Sequence, residues 1–218
     1  MHINFLLFVS GAGGNFFTRA LTTSTDTLPL GVGEYTEMSS LQRLEQYSYT
    51  DIPELPVSKN DTVTWWKYEL KNEWPLRRFG IEKLSKLSKK LKIIEPSHPQ
   101  HFYEKIKLLG QNDSFKIFEI DHTNAEEWLL SQMIQKTGGN GHSREYNKNE
   151  IKKENAIMAD ISKNYYIEKI NLKDIINSKE SFYKEYLRIC SIIQINPSVL
   201  TLNLYDQWKN TWGHVTNE

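Results

Sequence analysis

The stretch NFLLFVSGAGGNFFTRAL, residues 4–21, opens like a buried strand and closes like a helix, with glycines at 11, 13 and 14 between. The apolar run Ile3–Val9 is broken only by Asn4 and has strand length. Residues 15–22 then read as a helix with Asn15 near its N-cap. In that order, strand, glycine turn and helix can aim backbone N–H groups and the positive end of a helix dipole at an anion. The segment matches neither common phosphate pattern. No Lys-[Ser/Thr] pair follows the glycines as in G-x-x-x-x-G-K-[ST], and Phe16 stands where G-x-G-x-x-G has its third glycine. A tight turn that needs positive φ is the alternative reading of the same glycines. Arg19, about one turn into the helix, is the nearest cation.

Beyond the turn, residues 28–62 are rich in Pro, Gly, Ser, Thr and Asp and read mainly as connection, with a short helix at MSSLQRLEQY. Ile81, Leu84, Leu87 and Leu91 follow helical spacing beside a basic face. Three later segments read as strands feeding loops or helices: LKIIEPSHP (91–99), SFKIFEIDHTNAEEWLLSQMIQ (114–135, with Asn124 or Thr123 as helix cap) and NYYIEKINLKDIIN (164–177). Residues 136–158 are polar and glycine-containing and read as a mobile loop. ESFYKEYLRICSIIQINPSVL reads as an amphipathic helix stopped near Pro197. Strands alternating with helices predict an α/β fold: a three-layer, mostly parallel sheet flanked by helices, in one domain over 1–218.

With 218 residues, of which 39% are hydrophobic, the chain can bury a full core. Its 27 basic and 27 acidic side chains cancel, so no overall field draws in nucleic acid or an anionic membrane. A charged ligand must be held locally. Cys190 is the only cysteine, which excludes an internal disulfide and a cysteine zinc cluster and fits a reducing, cytoplasmic setting. The run at residues 3–9 is too short to span a bilayer, and no basic segment precedes it as in a secretory signal.

Together the segments resemble the sulfotransferase family, enzymes that move a sulfuryl group from 3′-phosphoadenosine 5′-phosphosulfate (PAPS) to a hydroxyl or amine. Four motifs carry the resemblance, between residues 4 and about 212. SGAGGNFFTRAL sits where that family has P-K-S-G-T-T-W-L, its phosphosulfate loop. KIIEPSHPQHF is similar to the strand ending in K-T-H-L-P, which places His98 on the catalytic base. IFEIDHTNAEEWLLSQ is similar to R-N-P-K-D-x-x-V-S, which places Ser131 on the serine that holds the 3′-phosphate. DQWKNTW resembles G-D-W-K-N, with Trp208, Lys209 and Asn210 in register. Two family cations are replaced: Ala12 stands at the loop lysine and Thr123 at the arginine. The resemblance implies that Gly11, Ala12, Gly13, Gly14, Asn15, Phe16, Arg19, Thr123, Ser131, Trp208, Lys209 and Asn210 line the donor site, with Arg19 or Lys209 supplying the missing charge.

His98 also stands on its own. A histidine at the end of a buried strand lies at the ligand edge of such a sheet, and its ordinary pKa suits it to take a proton from a hydroxyl at neutral pH. A histidine packed in a Pro-rich turn is the plainer alternative, and His101 and His122 are rivals for the role. No His, Cys, Asp or Glu spacing matches a known metal site. TWWKYELKNEWPLRRF (64–79) mixes tryptophans with basic residues; core packing, a wall for an acceptor such as a carbohydrate, and stacking of nucleic acid bases are its three readings. Composition disfavours the last. Two functional alternatives remain open: a nucleotide- or nucleic-acid-binding protein without transfer activity, and a nucleotide-dependent phosphotransferase, which the absent Lys-[Ser/Thr] pair disfavours.

Overall fold

A computed structural model describes residues 2–24, 26–29, 89, 92–107, 109–136 and 143–212. The expected helices within 30–62 and 81–91 and the tryptophan-rich stretch 64–79 lie outside these residues.

Five strands form one sheet in which every pairing is parallel: β1 (His2–Leu7), β2 (Thr27–Pro29), β3 (Lys92–Ser97), β4 (Ser114–Asp121) and β5 (Ile167–Asn171). Their order is β2-β3-β1-β4-β5, so the strand quoted at the outset is the central one. Buried on both faces, a central parallel strand reads as a continuous apolar run, which is the pattern of Ile3–Val9. The amide of its one polar interruption is bonded across to β3, while the Asn4 Oδ1 is buried without a partner. Asn4, 2% exposed, donates from Nδ2 to the Ile93 carbonyl at 3.1 Å.

Helices cover both faces. On one, Leu6, Ile94, Phe118 and Ile120 share a core with Phe17 and Leu21 of α1 (Gly14–Thr22) and with helices from the C-terminal third of the chain. On the other, Phe5 packs edge-on against Phe102 of α2 (Pro99–Ile106), with Phe115 and Tyr165 completing the cluster. The alternation along β1 assigns the two sets to opposite sides. α3 (Glu126–Lys136) follows β4, α4 (Arg144–Asn164) leads into β5, and α5 (Leu172–Asn177), α6 (Lys179–Ile193) and α7 (Leu200–Trp212) close the chain. This is the expected three-layer α/β architecture.

Local chemistry explains the helix ends. Ser178 and Ser181 cap α6 reciprocally: the Ser181 N–H donates to Ser178 Oγ at 3.0 Å, and the Ser178 N–H to Ser181 Oγ at 3.1 Å. The helix stops where Gln194 turns left-handed at φ 59° and the Ile195 N–H returns to the Cys190 carbonyl at 3.0 Å. Cys190 itself is packed, and burial pushes its thiol up to about 11.

Two expectations change. Thr27–Pro29 forms a short edge strand where connection was expected. Within 136–158, read as a loop, residues from Arg144 onward are helical as part of α4, which is 21 residues long. Ser143 caps it by accepting the Tyr146 N–H at 3.1 Å. Asn147, Ile151, Glu154, Met158 and Ile161 form its buried stripe. Two polar members break the apolar pattern, which is why periodicity alone misses the helix.

Beneath α2 lies a buried ion pair. Glu95 on β3 is 1% exposed and accepts from Lys105 Nζ, which also reaches the Pro96 carbonyl at 3.3 Å. Burial pushes the Glu95 carboxyl up to about 7 from its ordinary 4.5, against the pull of Lys105. Between about 4.5 and about 7 the folded form holds a proton that the unfolded chain has released, so this contribution to stability is fully present below about 4.5 and is lost as pH rises through about 7, where the ionised carboxylate pairs with Lys105. Urea unfolding at pH 5 and pH 8 checks it: Glu95→Gln should lose less stability than wild type between those pH values, and an equal loss would contradict the assignment.

Candidate functional site

The turn after β1 rises at the carboxyl edge of the sheet, where α/β proteins place their ligands. Gly11 and Gly13 have φ of 87° and 73°, a left-handed geometry that favours glycine. The expected cap at Asn15 moves: α1 begins at Gly14, and Gly13 caps it with no side-chain acceptor. An αL glycine bends the chain into the helix without a serine or aspartate cap, so the first-turn donors stay open. Among the described residues, the N–H groups of Gly13, Gly14 and Asn15 meet no acceptor, and no acidic side chain stands in the first turn. Uncapped donors at a helix start make an anion-binding end.

The turn is closely packed around its glycines. A Cβ on Gly14 would lie 2.0 Å from the Phe8 ring, and one on Gly11 would lie 2.9 Å from Met133 of α3. Phe8 also meets His98, with ring centroids 5.0 Å apart. The Phe8 N–H donates to the Ser97 carbonyl at 3.2 Å, so the start of the turn is tied to the end of β3 beside that histidine. His98 precedes Pro99, whose fixed φ begins α2 and leaves the His98 backbone extended at φ −72°, ψ 145°. Its side chain is 37% exposed, yet its Nδ1 atom is wholly buried. The exposed part of the ring therefore lies away from Nδ1.

Behind His98 stands Glu154 of α4, 7% exposed. Its Oε2 accepts the Ser10 N–H at 2.8 Å, and its Oε1 lies 3.4 Å from His98 Nδ1. That second contact is within ion-pair reach but is not aligned as a hydrogen bond. The Glu154 charge also acts on the rival histidines. Burial is the main cause lowering the pKa of both His101 and His122. His122 is 5% exposed at the end of β4, whereas His101 is exposed on α2 with a ring nitrogen 3.2 Å from the Gln100 amide. Among the described residues, no group of three His, Cys, Asp or Glu side chains could hold a metal ion.

The remaining positions divide. Trp208 comes to the turn: it stacks on Phe16 at 4.2 Å with an interplanar angle of 12°, and its ring would be 3.7 Å from a Cβ on Gly13. Trp128 of α3 stands 6.0 Å from it. Ala12 faces inward, fully buried in the core, with its N–H on the Val9 carbonyl at 3.1 Å. Lys209 turns elsewhere: Nζ donates to the Ile176 carbonyl at 2.5 Å, and burial lowers its pKa. Arg19 lies part-buried in the last turn of α1. Ser131 is part-buried on α3, its hydroxyl on the Glu127 carbonyl at 3.0 Å. Thr123 is exposed and bonds Asp121, and Asn210 is exposed on α7. Sequence reasoning missed Phe8 and Glu154. A carboxylate spaced three and four residues from Ile151 and Met158 was the available signal for the second.

No family model matches the sequence, and no curated protein matches it significantly. Solved structures do. The sulfotransferase domain of the Synechococcus PCC 7002 olefin synthase superposes with a TM-score of 0.60 at 12% identity, over 94% of this chain and 77% of that one. The sulfotransferase domain from the curacin biosynthetic pathway gives 0.56 at 13%, with the same coverages of 94% and 77%. The chain therefore has the fold of sulfotransferase domains.

The packing at the turn gives a direct test. Gly14→Ala should destabilise the protein by about 1–3 kcal/mol, the usual range for overpacking, because its Cβ meets the Phe8 ring. Adding Phe8→Leu should recover part of that loss in thermal melts. A Gly14→Ala variant as stable as wild type would exclude the contact.

Proposed function

We propose that the protein is a sulfotransferase-like enzyme, one domain over residues 1–218, that transfers a sulfuryl group from a nucleotide donor to a hydroxyl acceptor, with PAPS as the donor. The observation that carries this reading is His98, whose part-exposed ring packs on Phe8 at the same sheet edge as the uncapped N–H groups of Gly13, Gly14 and Asn15. In the reaction, the acceptor hydroxyl gives its proton to His98 Nε2 as its oxygen forms a bond to sulfur. The bond from sulfur to the donor's phosphate oxygen breaks. The developing charge on that oxygen falls to the open N–H groups at the start of α1, preorganised donors of the kind that stabilise transition states.

The residues suit such a donor unequally. Open donors fit its phosphate, and the Trp208 face beside Gly13 fits a base. Ala12 offers neither a cation nor a free N–H, and Lys209 is engaged at Ile176. Those last two observations favour a second reading, a nucleotide-binding protein without transfer activity.

A thermal-shift screen with adenosine 3′,5′-bisphosphate, PAPS and ATP separates them, since a ligand at 100 times its Kd stabilises by about 2.7 kcal/mol. The 3′-phosphorylated nucleotides should raise the Tm and ATP should not. With PAPS and a hydroxyl acceptor, His98→Asn should keep the thermal shift while turnover falls roughly 10²- to 10⁴-fold, the contribution of general base catalysis. Stabilisation without turnover in wild type would favour the binding protein; no stabilisation by any nucleotide would overturn both readings.

A further inference from the structure

His98 can accept a proton at Nε2 only if its own proton sits on Nδ1, and nothing on α2 holds it there, since Nδ1 is buried with no aligned hydrogen bond. What faces Nδ1 is a carboxylate from a distant helix: Glu154 Oε1 at 3.4 Å. The other oxygen of the same carboxylate is fixed by the Ser10 N–H at 2.8 Å. We propose that Glu154 is a positioning residue that sets the His98 tautomer and, through Ser10, locks the base to the glycine turn.

The chemistry follows from what each group can do. A carboxylate only accepts, so the imidazole nitrogen facing it must donate, and the lone pair is left on Nε2. The Phe8 ring packs on the imidazole, with centroids 5.0 Å apart, and also lies against Gly14. Glu154 is nearly buried, so its charge is poorly screened by solvent where it meets the ring. Because one carboxylate touches both Ser10 and His98, it holds the turn and the base in one frame, although Ser10 and Glu154 lie 144 positions apart. This role rests on His98 being the base, but the tautomer can be read without any donor or acceptor.

The test is Glu154→Gln. The amide oxygen can still accept the Ser10 N–H, so the turn and nucleotide binding should be kept. The amide nitrogen would face His98 Nδ1 as a donor, forcing that nitrogen to accept and moving the proton to Nε2. Long-range ¹H–¹⁵N spectra of the imidazole should show the neutral wild-type ring protonated at Nδ1 and the variant ring protonated at Nε2. In turnover with PAPS, kcat should lose much of the 10²- to 10⁴-fold supplied by a base with KM for the donor unchanged. If Glu154→Gln does not fold, Glu154→Asp, which keeps the charge one methylene short, should instead lower the Nδ1-protonated fraction. A wild-type ring protonated at Nε2, or the same tautomer in wild type and Glu154→Gln, overturns the proposal whatever the turnover assays give. Absent turnover beside a switched tautomer leaves the positioning intact and removes the enzymatic reading.

Discussion

The ring of Phe8 against the bare Cα of Gly14 is the contact on which the arrangement of the site depends. It occurs at the point where the central strand ends, the helix begins and β3 delivers His98. A flat side chain fits between them only because Gly14 has no Cβ. It packs under the turn and against the imidazole. The glycines at 11 and 13 serve the backbone path; the one at 14 serves packing. That distinction explains why three glycines crowd into four positions without completing a common phosphate pattern.

Charge around the turn is arranged differently from what a lysine-bearing loop would provide. The position expected to carry the cation is an alanine sealed in the core, and Lys209 of α7 spends its ammonium on the Ile176 carbonyl in the last turn of α5. Among the described residues, the carboxylate of Glu154 touches the turn and already occupies the Ser10 N–H. An anion received farther along at Gly13 and Gly14 would meet backbone N–H dipoles, with that negative charge one step behind. Such a site gains from shape and exclusion of water more than from Coulomb attraction at long range, in keeping with a chain of zero formal charge.

How much of this was legible in the sequence varied with how local the cause is. The strand, turn and helix at the start are written in adjacent residues, and so is His98 at the end of β3, where Pro99 fixes the helix start. The cap was misplaced at Asn15 because a polar side chain is the usual signal, and an αL glycine gives none. α4 was missed because Asn147 and Glu154 dilute its apolar stripe and its outer face is Lys, Glu and Asn. The same two residues look like loop composition and turn out to be the polar part of a buried face. Trp208 at the turn was read through a motif, whereas its stack on Phe16 is a tertiary contact that no local pattern encodes. The contacts of Phe8 and Glu154 join segments far apart in the chain and become visible only once the sheet order is known.

Asn4 carries a consequence of another kind. A strand that is apolar on both faces has no hydrophobic reason to prefer one alignment over another, because a slide of one residue exchanges Ile3 and Phe5 for Leu6 and leaves oil in place of oil. The amide breaks that degeneracy. Slid by one, it would turn to the opposite face and away from the Ile93 carbonyl, stranding a buried polar group at a cost of about 1–3 kcal/mol. Parallel strands also meet late in folding, after long loops have closed. Asn4 thus acts as an address written into the middle strand: it tells β3, 89 positions away, where to dock. That side chain thereby helps fix the register in which β1 meets β3, and so where the strand delivers the glycine turn.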